Sequence, residues 1–95
     1  MMRKAARKTD RRTTVRAGRR YRSKAARGYR YILVDQIRGL GRGMPYALAH
    51  EVLPSGERAR GDWHGIPRNI PINIALVWRD GTYILPRNYE EVEDG

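Results

Sequence analysis

A mainly β fold is predicted: a small five-stranded, barrel-like or sandwich domain preceded by a long basic N-terminal arm. Three observations predict it. From Tyr29 onward the apolar residues fall in short runs rich in aromatic and β-branched side chains, bounded by Gly, Pro, Asp or Asn. The pair Asp80-Gly81 separates two such runs and marks a tight hairpin. Before Tyr29 no period of 2 or 3.6 gathers apolar residues onto one side. With 95 residues the chain holds at most one compact core, assigned to residues 29–90.

The arm, residues 1–28, is defined by charge. Residues 1–30 carry 13 of the 20 basic residues and one acid, Asp10, a charge of about +12, whereas residues 31–95, with 7 basic and 9 acidic residues, come to about −2. Without an apolar face nothing offsets the entropy of ordering, so the arm is expected to be disordered unless bound and removable without unfolding the domain. Two stretches rich in Ala, Arg and Lys, Met2–Lys8 and Ser23–Arg27, are expected to become helical against a polyanion.

Within the domain, Tyr29–Ile37 reads as a strand, and Gly39–Gly43 as a flexible connector. Tyr46–Leu53 admits two readings. Pro45 and the Ala, Leu and Glu content allow a short helix. The turn chemistry of Pro54-Ser55-Gly56 favours instead a hairpin that returns along Glu57–Trp63. The second hairpin joins Ile74–Arg79 to Thr82–Leu85, with Trp78 opposite Tyr83, Val77 opposite Ile84 and Leu76 opposite Leu85. Both of its faces are apolar, so one is expected to cover the core and the other to meet a protein neighbour through Trp78, Tyr83 and Leu85. Glu90–Gly95 reads as an acidic tail, with residues 91–95 outside the domain.

Two stretches resemble Src-homology-3 domains. Leu85-Pro86-Arg87-Asn88-Tyr89, followed by Glu90-Glu91-Val92, is similar to that family's last strand region with its Pro-x-Asn-Tyr element, and Gly61-Asp62-Trp63 to the Gly-Asp-Trp-Trp segment before it. The resemblance implies a small barrel. It would also give Trp63, Pro86 and Tyr89 a groove for proline-rich peptides. However, His64 stands in place of the second Trp, and Ile32-Leu33-Val34-Asp35-Gln36 lacks the tyrosines of the family's first strand. Only the barrel is carried forward.

Composition narrows the function. With no cysteine, disulfide frameworks, thiolate metal sites and cysteine nucleophiles are excluded. No apolar run approaches the ~18–20 residues of a membrane span, and no apolar segment follows the basic start as an export signal requires. His50 and His64, with Glu51 and Asp62 beside them, show no metal-ligand spacing, and neither Ser23 nor Ser55 sits in a nucleophile motif. No metal, cofactor or catalytic residue is therefore expected. The 10 Arg and 3 Lys of residues 1–30 instead suit phosphate, because guanidinium forks grip it bidentately. Candidate nucleic-acid-binding residues are Arg3, Lys4, Arg7, Lys8, Arg11, Arg12, Arg16, Arg19, Arg20, Tyr21, Arg22, Lys24, Arg27 and Arg30. Tyr21, Tyr29 and Tyr31 are placed to stack on unpaired bases.

The expected function is that of a structural component of a large nucleoprotein assembly, such as a ribosome-like particle or a virus capsid interior. Its arm would bind RNA or DNA without sequence preference, and its domain would bind neighbouring proteins. The expected location is cytoplasmic or within a virion, not secreted and not at a membrane. Two alternatives come from other classes: an adaptor or capsid cement protein whose arm binds acidic protein surfaces, and a small nuclease.

Overall fold

The computed structural model describes residues 12–25, 28–41, 43–63, 65–68, 70–86 and 88–93. Its strands are β1 (Arg20–Ala25), β2 (Gly28–Arg38), β3 (Tyr46–Val52), β4 (Asp62–Trp63), β5 (Ile66–Pro67), β6 (Ile72–Ala75), β7 (Val77–Arg79), β8 (Thr82–Ile84) and β9 (Glu90–Val92). The protein is mainly β. A five-stranded antiparallel sheet runs in the order β6-β3-β2-β1-β9, and β4-β5 and β7-β8 form two small two-stranded sheets.

The predicted barrel does not close. Closure would require the edge strands to pair, yet β6 and β9 are short and lie at opposite ends of the order. Tyr89, assigned by the resemblance to a peptide groove, packs against the core instead.

Strand β2 forms where its aromatic and β-branched run predicts. Its alternation buries Ile32 and Val34 completely on one side. Strand β3 settles the helix-or-strand ambiguity. It pairs with β2 on one side and β6 on the other, and the backbone bonds of two ladders override the helix preference of Ala and Leu. Ala47 and Ala49 are fully buried, small enough to leave room for Ile37, Ile72 and Ile74 against the same core. The Pro54-Ser55-Gly56 turn is present, with Gly56 at φ 97° and its N–H donating to the Leu53 carbonyl at 2.8 Å. The predicted return strand is brief: Arg58 bridges Val52 and the Ala59 N–H donates to Glu51, after which the chain turns into β4 and β5.

Asp80 at φ 53° and Gly81 at φ 84° make the predicted tight turn, and Trp78 faces Tyr83 as Val77 faces Ile84. The strand expected over Ile74–Arg79 divides at Leu76. Before it, β6 belongs to the large sheet; after it, β7 belongs to the hairpin; and Leu76 itself turns into the core. The ladder therefore stops short of the predicted Leu76–Leu85 pair.

The folded body begins earlier in the chain than composition suggests. Residues 12–17 form a strap along β8: the Tyr83 N–H donates to the Arg12 carbonyl at 2.8 Å, and the Thr13 hydroxyl to the Tyr83 carbonyl at 3.1 Å. Val15 and Tyr21 are buried in the core. Ser23–Ala25, part of the stretch expected to turn helical against a polyanion, lies here in β1, and Glu90–Val92 of the acidic tail is the strand beside it. Met2–Lys8 lies outside the described residues.

Candidate nucleic-acid interface

Strand β1 forms although Tyr21 is its one large apolar residue. It sits between two partners, with Tyr21 opposite Ile32 on β2 and opposite Glu91 on β9, so its backbone groups bond on both sides. Charge helps select the neighbour. Arg22 donates to Glu90 at 2.6 Å and Arg19 to Glu91 at 2.7 Å, joining the basic and acidic ends of the chain. Because side chains alternate across a strand, Tyr21 points to the core, while Arg20, Arg22 and Lys24 all point to the opposite face of the sheet.

On that second face the register builds rows. Arg22 lies opposite Tyr31, Tyr31 opposite Val52, and Val52 opposite Arg58. Lys24 lies opposite Tyr29 in the next row, and Arg20 opposite Leu33 in the row on the other side. The Arg22 guanidinium carbon stands 4.5 Å from the centroid of the Tyr29 ring, a cation–π contact. Tyr29 and Tyr31 lie 6.4 Å apart with their planes tilted by 60°. Hydrogen bonds to Glu90 first and to the Tyr31 hydroxyl second raise the pKa of Arg22 above its ordinary value. Tyr29 remains 51% exposed, and Lys24 and Arg58 are exposed beside these rows.

A cleft of about 590 Å³, lined by Leu53, Glu57, Arg58, Arg60 and Arg68, shares Arg58 with this face. In the cleft Arg68 donates to Glu51 at 2.9 Å. Sequence reasoning assigned Arg58 no role. The turn at Pro54-Ser55-Gly56 was a local signal that it returns beside Val52, but its place in a row with Tyr31 and Arg22 depends on the pairing of β1, β2 and β3.

The remaining predicted cations are spread more widely. Arg12 and Arg16 are exposed on the strap, and Arg30 is exposed on the other side of β2. Arg20 donates to the Pro54 carbonyl at 3.1 Å. Arg3, Lys4, Arg7, Lys8, Arg11 and Arg27 lie outside the described residues.

Two assignments are corrected. Tyr21 has no ring face for a base: it is 5% exposed, and its hydroxyl accepts the Arg16 N–H at 3.0 Å. Burial raises its pKa, with the Arg16 hydrogen bond acting in the opposite direction. Leu85 is not an interface residue, because the chain leaving β8 turns it into the core with Val15 and Leu76. Tyr83 is half-buried against that core and meets Trp78 edge-on at 4.9 Å, leaving Trp78 and Val77 as the exposed apolar part of the hairpin.

His50 is buried, and its Nδ1 lies 2.8 Å from Oδ2 of Asp35. Asp35 sits where the β2–β3 register shifts, the kind of extra residue that a bulge re-aims. Glu51, its sequence neighbour, pairs with Arg68 instead. His64 lies outside the described residues, and among those described no three His, Asp or Glu side chains gather as metal ligands. Compared with known proteins, the chain matches no family model, no curated sequence and no solved structure. The functional reading therefore rests on its own residues.

Proposed function

We propose that this protein binds nucleic acid through its phosphate backbone, without strong sequence preference, as a structural component of a nucleoprotein assembly. The observation that supports it most is the gathering of Arg20, Arg22, Lys24 and Arg58 on one face of the sheet, in a chain whose first 30 residues include 13 basic ones. Arg22 pairs with Glu90 and Arg19 with Glu91, while Lys24 is exposed beside them. Neighbouring proteins of the assembly would meet the exposed Trp78 and Val77 of the second hairpin, away from the cationic rows.

The test is a salt titration of duplex binding by fluorescence anisotropy. Each neutralised phosphate contributes about 0.9 to the slope of log affinity against log salt, so the parent should show a steep slope. Replacing the exposed Arg16, Lys24 and Arg30 together by Gln should flatten the slope by about one for each residue in contact. A flat dependence in the parent would remove the proposal and favour an adaptor that grips protein through apolar surface.

A further inference from the structure

We infer that the corner of the sheet formed by Arg22, Lys24, Tyr29 and Tyr31 is a stacking platform for unpaired bases, so that the favoured ligand is single-stranded nucleic acid. The inference rests on the proposed function and names its substrate class.

Ring, cation and strand geometry carry it together. Tyr29 is a large ring left half in solvent on a regular strand, where burial against β1 or β3 would have been the ordinary outcome for an aromatic residue. Its neighbour Tyr31, partly buried, is tilted 60° to it, so the two rings do not close into one aromatic stack and Tyr29 keeps an open surface for a base. The planar Arg22 guanidinium beside Tyr29 adds a second surface on which a base can stack. Along β1, Arg20, Arg22 and Lys24 recur at every second residue, which spaces them about 6.5–7 Å apart. An extended phosphodiester chain can follow that row with its bases turned toward the rings on β2.

Duplex cannot use the rings in this way. Its base faces are already stacked on one another, and a broad sheet face does not enter a groove as a helix or narrow ribbon does. An acidic peptide would engage the cations and leave the rings without a role. The rings therefore discriminate among polyanions, whereas charge alone does not.

The experiment measures anisotropy of labelled single strands of about 12 nucleotides, a length within the usual site size, as RNA and as DNA, with a duplex of the same sequence and a polyglutamate competitor. Parent, Tyr29→Ala and Tyr29→Phe are compared. Tyr29→Ala should lower single-strand affinity about tenfold, the scale of one stacked base, and change duplex affinity less than about twofold. Tyr29→Phe should retain single-strand binding, because the ring and not the hydroxyl is the seat. The RNA and DNA arms identify which strand supplies the bases, and equal Tyr29 dependence assigns the platform to both.

Equal losses on single strand and duplex, or no loss in Tyr29→Ala, would overturn the platform while leaving the proposed function standing. Polyglutamate competition that weakens in parallel with the ring substitution would overturn it too. A parent that binds none of the nucleic acids would remove both.

Discussion

On one side of the central sheet Ile32, Val34, Ala47 and Ala49 are sealed beneath the strap and the β7–β8 hairpin; on the other, Lys24, Tyr29 and Arg58 stand in solvent. Both sides come from the same strands. The two-residue period of β2 sends Ile32 and Val34 inward and Tyr29, Tyr31 and Leu33 outward, and that of β1 sends Tyr21 inward and three cations outward. A short chain thus carries a core and a charged surface on one element. Burial disciplines the first face, where a lost methylene leaves a void; the second face is closed at Val52 and His50 and open only toward Lys24 and Tyr29, where water fills the space and change is tolerated.

The largest effect should come from removing an element common to both faces. Deleting residues 1–28 takes away the strap, Val15, Tyr21 and the strand between β2 and β9, so the remainder should lose its cooperative melt. Circular dichroism through a thermal ramp checks this, and a shortened protein that melts as the parent does would make the basic segment a true appendage.

Next come two substitutions on one strand. Ile32→Ala should destabilise by about 2–5 kcal/mol, since the side chain is fully buried, and Tyr29→Ala, on the open face, by no more than about 0.5 kcal/mol. Urea midpoints of the pair measure the asymmetry directly, and equal shifts would erase the distinction between the faces.

The cover of the core can be loosened at its turn. Gly81→Val forces a β-branched residue to adopt φ near 84° and should cost about 1–3 kcal/mol. A melting temperature equal to the parent's would show that the turn relaxes without cost.

Tyr21 gives the closed face a pH signature. Burial raises its folded-state pKa above the ordinary 10.0, so the folded protein holds the phenolic proton more tightly than the unfolded chain. That contribution is fully present below the unfolded pKa and is lost as pH rises through the folded one. Stability followed from about pH 8 to about pH 11 should fall at the alkaline end in the parent and fall less in Tyr21→Phe, which should also cost about 1 kcal/mol at neutral pH by stranding the Arg16 N–H. Parallel curves would show that the hydroxyl is solvated.

The smallest effect belongs to the open face. Glu90→Gln should leave the melting temperature close to the parent's and raise affinity for nucleic acid about twofold at low salt, because it releases Arg22 from its carboxylate. Unchanged affinity would place Arg22 outside the interface.

What local chemistry specifies was legible in the chain. Asp80-Gly81 implies its turn because two positive φ angles are needed within two residues, and Tyr29–Ile37 implies its strand because bulky, branched side chains fit a pleated surface. The charge partition was equally plain from residue counts. Tertiary structure alone decided which distant segments lie side by side. A single tyrosine among arginines gives no apolar period, so β1 becomes a strand only where β2 and β9 both accept its backbone bonds. The acidic end becomes its neighbour only after folding brings Glu90 and Glu91 within reach of Arg22 and Arg19. The division at Leu76, the register shift at Asp35 and the arrival of Arg58 beside Tyr31 depend likewise on register between segments far apart in sequence. Turn chemistry acts within about four residues, whereas strand adjacency is chosen by the whole core at once.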